Sequence, residues 1–377
     1  MSKRLFILFF LFFSIFLHAD TKNRDKPAKG IWDFQLEKVW EIETAGEDVF
    51  GQPFVLTVAD DATLYVFDIK NGINYIFDSE GKYVRSFAKG GQGPGEIIGQ
   101  ELTHVLKDSL IIPGMNGIHY FTKDGEYIKT IKQVKTRRTP RLFIDEDNMI
   151  AAPMTAIFHP EGKTNIVRKN LKTGEEIVIA DFSLDLVGVA SNGQQVMDII
   201  VVGLSPLMTL ALFDNTLFWG LSDSYVINIS DLRGKRLNSF SVNRKKRKIS
   251  DSSKMKYFRN DDLPQDILPR LVKSYPNVLT HFHRIEIHRG LIYIFVPDLD
   301  LERGRTKLRQ IDIFSQTGKY LYRASVDFGE NLTHLFSPLR NFVIKGDYIY
   351  AACEREDDTI VIIKYKASFP SSDWIQE

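Results

Sequence analysis

Ile73-Asn-Tyr-Ile-Phe-Asp-Ser-Glu-Gly81-Lys-Tyr-Val-Arg-Ser-Phe87 is the stretch that decides the fold. Apolar and polar residues alternate on both sides of a short polar turn ending in glycine, so both flanks read as strands with one buried face. The unit returns as Ile118-His-Tyr-Phe-Thr-Lys-Asp-Gly125-Glu-Tyr-Ile-Lys-Thr-Ile131, with degenerate copies around Gly174, Gly234 and Gly318. Each glycine stands where a hairpin turn needs a positive φ, which a residue without Cβ adopts at low cost. The glycines are 44, 49, 60 and 84 residues apart. The first two spacings fit a blade of roughly 40–50 residues, and the last two call for insertions.

Two more strand-like runs precede each hairpin: Phe54–Ala59 and Thr63–Phe67 before Gly81, Glu101–Leu106 and Ser109–Ile112 before Gly125, and Phe282–Ile287 and Leu291–Val296 before Gly318. Four short antiparallel strands make a propeller blade. A sixth set, Leu339–Ile344, Tyr348–Cys353 and Thr359–Tyr365, stops before its hairpin. The alternating run 36–43 supplies the missing outer strand, and pairing the chain ends removes the open edges of the first and last blades. The expected fold is therefore an all-β, six-bladed β-propeller of four-stranded antiparallel blades, closed by an N-terminal strand joining the last blade. A seventh blade would have to lie in 243–280. That stretch lacks alternation and reads as an insertion with helical turns near Asp261–Lys273.

The rest of the chain fits around this ring. Lys3 and Arg4 followed by the apolar run Leu5–Leu17, broken only by Ser14, read as a signal peptide cut after Ala19, although Leu17 is a poor fit to the small-residue rule. As a helix that run reaches only about 20 Å, short of a bilayer core of roughly 30 Å. The expected divisions are a signal peptide at 1–19, a linker at 20–35, the propeller at 36–368 and a tail at 369–377, in an extracytoplasmic monomer with no stable membrane insertion after cleavage. The chain's 49 basic and 48 acidic residues provide no global field for nucleic acid. Cys353 is the single cysteine, so no intramolecular disulfide forms, and its strand-like setting reads as core.

The run Ile-Phe-Asp-Ser-Glu-Gly81-Lys-Tyr-Val-Arg-Ser-Phe leading into Gly90-Gly-Gln-Gly-Pro-Gly-Glu96, together with Tyr275-Pro-Asn-Val-Leu ahead of 284–296, resembles the bacterial exported six-bladed propellers related to NHL-repeat proteins. The likeness covers 36–368 and implies the fold. Most members of such families have no assigned activity, so it implies little about function.

Gly90–Glu96 lies on the crossing from the first blade to the second. Its preferred reading is a tight crossing; its functional reading is a backbone that presents N–H groups to an anion, with Gln92 and Glu96 as contacts. Lys135, Arg137, Arg138 and Arg141 form one basic cluster and Arg244, Lys245, Lys246, Arg247 and Lys248 another, both in equivalent crossings and hence on one face. They suit an acidic protein or peptide or an anionic glycan; solvated loops are the plainer reading. His281 and His283, two apart on one strand face, are the metal candidates by spacing, without a visible third ligand. Asp298, Asp300 and Glu302 alternate like the start of a calcium loop, but Arg303 and Arg309 stand where that loop needs Gly and Glu. No nucleophile elbow or phosphate loop is present. The expectation is a non-catalytic binding module without a cofactor. The alternative is a lactonase-like or amidating-lyase-like hydrolase or lyase, with calcium or zinc in the central channel. The helical insertion is expected to form a flap over one channel mouth, its basic start exposed.

Overall fold

Six sheets, each led by a strand that follows a crossing from the preceding blade, form the ring in the computed structural model, which describes residues 20–132, 141–154, 162–185, 187–191, 196–258, 265–297, 308–329, 331–332 and 341–371. The expected signal peptide at 1–19, Lys135, Arg137, Arg138, Asp298, Asp300, Glu302 and part of the tail lie outside these residues. Blade 1 runs Pro53–Val58, Leu64–Asp68, Ile73–Phe77 and Tyr83–Phe87. Blade 2 runs His104–Val105, Ser109–Gly114, Gly117–Thr122 and Tyr127–Ile131; blade 3 runs Arg141–Phe143, Asn148–Ala151, Lys163–Asn170 and Glu176–Ser183. Blade 4 holds Met208–Phe213, Thr216–Leu221, Val226–Asp231 and Arg236–Asn243, and blade 5 holds Arg284–His288, Leu291–Val296, Leu308–Ser315 and Tyr320–Asp327. Blade 6 takes Phe342–Lys345, Tyr348–Glu354 and Ile360–Ala367 from the C-terminal end and Leu36–Ile42 from the N-terminal end, paired Leu36↔Ala367 through Ile42↔Ile362.

The repeat glycines do two jobs. All five have φ between 76° and 85°. Four also touch the outer strand of the preceding blade. A Cβ on Gly125 would lie 2.8 Å from the Phe87 ring, one on Gly318 2.4 Å from Phe240, one on Gly234 3.0 Å from the Ile179 carbonyl, and one on Gly81 3.0 Å from Trp40. Trp40 belongs to the N-terminal strand, so that strand meets blade 1 as Phe87 of blade 1 meets blade 2. Ring closure repeats the ordinary blade contact. Ahead of each glycine a side-chain oxygen holds the turn: Asp78 accepts from the Glu80 and Lys82 N–H groups and Asp231 from those of Arg233 and Lys235.

Each blade interface carries its own apolar cluster. Leu56, Tyr75, Tyr350 and Ile362 join blades 6 and 1; Ile76, Phe87, Leu110 and Phe121 join blades 1 and 2; Phe240, Ile285 and Phe314 join blades 4 and 5. Cys353 is fully buried in the cluster between blades 5 and 6, as its setting implies.

Residues 20–35 are a belt rather than a linker. Thr21–Arg24 adds a parallel fifth strand to the outer edge of blade 4, and Ile31–Asp33 does so on blade 5. Asn23 stitches the two blades: its amide nitrogen donates to the Ser241 and Gly318 carbonyls, and its oxygen accepts from the Tyr320 N–H. The propeller also runs past 368. Phe369 is buried against Phe34, His288 and Tyr293.

The insertion contains two helices, α1 (Asp251–Phe258) and α2 (Leu268–Ser274). The expected turns overlap α2; α1 was missed. Its cap, Ser250, accepts from the Ser253 N–H. The helices do not dock on the propeller alone. They share a core with the crossing from blade 3 to blade 4, through Ala190, Val201, Leu204, Phe258, Leu271 and Tyr275. The Tyr275 hydroxyl donates to the Ile199 carbonyl at 2.6 Å.

Candidate functional site

Strand alternation sends all the crossings between blades, and the turns between second and third strands, to one face, called here the crossing face. It holds an open cleft of about 210 Å³ between blades 1 and 2, lined by Phe67, Ile69, Gly72, Ala88, Gly90, Ile97, Gly99 and Gln100. The Gly90–Glu96 crossing builds one wall.

That crossing is a closed hydrogen-bonded loop. The Gly90 N–H donates to the Gly72 carbonyl, Gly91 to Ile97, and Ile97 to Lys89. The Glu96 carboxylate folds back to accept from the Gly93 N–H at 2.9 Å, with Lys89 3.5 Å from its other oxygen. Those contacts, the Gly93 N–H first, hold its pKa below the usual carboxylate range. Glu96 thus serves as the loop's own anion, and the crossing reading prevails over the anion cradle at these groups. Gln92 is exposed.

A relay of buried and half-buried polar side chains backs the loop. Asn116 donates to the Gly91 and Glu96 carbonyls, and its oxygen accepts from the Ile98 N–H. His119 Nε2 lies 3.0 Å from that same oxygen, so Nε2 carries the proton; Nδ1 then accepts from Thr130, 3.0 Å away. Burial pushes the His119 pKa down, in keeping with this neutral tautomer.

The second basic cluster divides. Arg244 is an internal clamp, which corrects its expected role as an exposed contact. Its guanidinium bonds both oxygens of Asp312, at 2.7 and 3.2 Å, bonds Asp25 in the belt, and stacks over the Tyr225 ring. Burial works to lower its pKa, yet the Asp312 contacts raise it overall. Lys245, Lys246, Arg247 and Lys248 are exposed. They do not ride a free loop: the Leu279 N–H donates to the Arg247 carbonyl, Lys248 bridges Val278, and the Arg247 side chain donates to the Pro297 carbonyl. The Tyr275–Leu279 segment therefore fastens the base of the insertion and pins the basic strip. Arg141 is buried, 3.5 Å from Glu101, rather than presented on a loop.

Several residues escaped the sequence. Burial pushes Glu101 up to about 7, with Arg141 pulling the other way. Arg284 is buried, bonds Glu286 and donates to the Phe342 carbonyl of the next blade. Lys254, 0% exposed, donates to the Val272 and Tyr275 carbonyls and to Asn277, closing the C-terminal end of α2. Apart from the Arg284–Glu286 pair, these roles depend on partners 18 or more residues away, which one-dimensional spacing does not display.

His281 and His283 precede the strand Arg284–His288 rather than lying within it. His281 is buried beside Tyr225 and held down to about 4, by burial first and then by Lys246 and Arg244. Those neighbouring cations oppose a second positive charge there. Among the described residues no three His, Cys, Asp or Glu side chains gather into a metal-holding group.

Ring, closure and decorated face define a six-bladed β-propeller. No family model and no curated protein matches the chain. Solved structures do. A member of the DUF4221 family from Bacteroides vulgatus aligns with a TM-score of 0.55 at 10% identity, over 89% of this chain and 99% of that one. A protein from Bacteroides fragilis described as exported aligns at 0.54 and 12%, over 93% and 99%. Both support the fold. A virginiamycin B lyase from Staphylococcus aureus aligns at 0.44 and 13%, over 88% and 99%, too distant to bear on chemistry. Among the described residues no helix is long and apolar enough to cross a membrane.

Proposed function

We propose that the chain is an exported, non-catalytic binding propeller that takes its ligand on the crossing face. One observation carries this reading: among the described residues, the long connections between strands lie on one face. On the opposite face, the described turns between first and second and between third and fourth strands are two to five residues long. The crossing face holds the cleft, the hairpin Val189–Ser191 with Val196–Asp198, both helices and the pinned basic strip. A scaffold under selection only for its ring gains nothing from such one-sided additions, whereas binding sites gather on loops set on a rigid frame. Lys245, Lys246 and Arg247, with Gln92 nearer the cleft, are the exposed contacts suited to an acidic protein, peptide or anionic glycan. Export rests on the leader's sequence.

The test is paired charge reversal. Lys245→Glu with Lys246→Glu alters the crossing face; Lys82→Glu with Lys319→Glu alters exposed lysines in opposite-face turns. The ligand that co-purifies with native protein should be lost from the first variant and kept by the second. Equal retention by both, with folding intact, refutes the basic strip as the contact.

A further inference from the structure

We infer that the cleft between blades 1 and 2 is a binding site for a small, neutral, ring-sized molecule with a hydrogen-bond donor, and that it rejects anions. This deepens the crossing-face reading and rests on it. The inference begins with the polar groups at the cleft wall. Asn74 is fully buried, and its Nδ2 donates to the Ala88 carbonyl at 3.1 Å. A carbonyl only accepts, so this contact fixes the amide's orientation. The other Asn74 N–H goes to Gln100 Oε1 at 2.8 Å, and Asn74 Oδ1 accepts from Gln100 Nε2 at 2.8 Å. The remaining Gln100 N–H reaches Thr103 at 3.3 Å. Both amides have thus engaged every donor they own. What Gln100 has left toward the cleft is acceptor capacity on Oε1.

The backbone tells the same story. The N–H groups of Ile69, Gly72, Gly90 and Ile97 donate to the carbonyls of Gln52, Asp68, Gly72 and Lys89. No charged side chain lines the cleft. An anion entering it would lose hydration, meet no cationic side chain in the lining, and find the N–H groups of these four residues already engaged. A neutral ring would bury apolar surface against Phe67, Ile69 and Ile97 and place its hydroxyl or amide N–H on Gln100. A volume of about 210 Å³ suits one substituted ring, since a cavity of roughly 150 Å³ holds benzene.

Two further features point the same way. Ala88 is a lining residue without glycine's freedom, yet its φ is +49°. Its carbonyl is held by Asn74, so the wall is kept in a costly conformation by a buried partner. The rim is apolar and adaptable. Met115, 82% exposed, lies against Gly99; Ile69 is 45% exposed; and Val49, 69% exposed, takes the Asn71 amide on its carbonyl. These are the exposed large apolar residues that the crossing face presents near this cleft.

Phenol, toluene and benzoate are the probes, titrated into isotopically labelled protein while the Ile69 and Ile97 methyl resonances are followed. Phenol should shift both saturably, with a millimolar or lower dissociation constant, and should bind at least as tightly as toluene. A cleft without a useful acceptor would favour the more apolar toluene, roughly tenfold. Benzoate should bind at least tenfold more weakly than phenol. Gly90→Leu should abolish phenol binding without lowering the unfolding midpoint, because Gly90 has ordinary φ and its Cβ would meet nothing nearer than 3.6 Å. No saturable shift up to about 10 mM, tighter binding of toluene or benzoate, or undiminished binding to Gly90→Leu would each overturn the inference; a Gly90→Leu protein that fails to fold is replaced by Gly90→Val. The charge-reversal test reads a different part of the face, so failure here leaves that outcome separately legible.

Discussion

Replacing Arg244 with Met keeps an apolar stem of similar length and removes the cation from the joint of blades 4 and 5. Asp312, 1% exposed, would keep the Tyr225 and Tyr320 hydroxyl donors, with Arg323 Nε 3.7 Å from one oxygen. Removing one partner of a buried pair costs about 3–5 kcal/mol. The two tyrosines and Arg323 soften the loss, so the lower end, about 3 kcal/mol, is expected. Asp25→Asn is the informative contrast. Asp25 is 36% exposed, accepts from Arg323 as well, and should cost below about 1 kcal/mol, less still in 1 M salt. Equilibrium urea unfolding at pH 7 gives both values, with unchanged m confirming a like-for-like comparison. A cost below about 1 kcal/mol for Arg244→Met, or equal costs for the two variants, would refute the buried clamp. If Arg244→Met lost ligand while keeping stability, the exposed-contact expectation would return.

Gly318→Ala should cost more than about 2 kcal/mol in urea unfolding, since it meets Phe240 at 2.4 Å as well as a φ of +83°, whereas Gly174→Ala, with nothing within 4 Å, should cost only about 1 kcal/mol. His288 packs on Phe369 with its pKa held down to about 4, mainly by burial; the unfolded chain then binds the extra proton below about 6.5, so the parent should lose up to about 3 kcal/mol relative to His288→Phe as pH falls from 6.5 to 4. Glu101 has the opposite sign: raised to about 7 by burial, it binds its proton more tightly when folded, so Glu101→Gln should gain up to about 3 kcal/mol on the parent between pH 4.5 and 7, and a flat difference would show a carboxylate ionised throughout. Elemental analysis after dialysis should find less than one calcium or zinc per ten chains; a stoichiometric metal would favour the hydrolase or lyase alternative.

The ring was legible because its information is local and repeated. Gly81, Gly125 and Gly318 each combine a turn, a side-chain cap three residues earlier and alternating flanks, and closure needed only an outer strand of matching character at 36–43. The belt lacked any such pattern. Thr21–Arg24 and Ile31–Asp33 pair through backbone ladders of four and three residues, and an edge accepts a short parallel strand without requiring alternation from it. Arg244 was misread for a related reason. Five consecutive cations look alike in sequence, and only the positions of Asp312 and Asp25 separate the first from the other four. The cleft is harder still. Its chemistry depends on which amide donors are already engaged, which follows from Asn74, Ala88, Gln100 and Thr103 meeting in space.

The belt also bears on how the crossing face stays open. Asp20 bonds Arg236 and Ser239 at 2.6 and 2.9 Å, on the outer strand of blade 4. The first described residue therefore sits at the outer rim. The cleft lies between blades 1 and 2, on the other arc of the ring from the belted blades 4 and 5. The belt and the cleft thus lie on different blades: Thr21–Arg24 and Ile31–Asp33 fasten blades 4 and 5, and the cleft lies between blades 1 and 2. A protein that keeps residues 1–19 should then take up phenol with the affinity of one that begins at Asp20. A large difference between the two would show that the segment before Asp20 reaches the crossing face, and would overturn this division of labour.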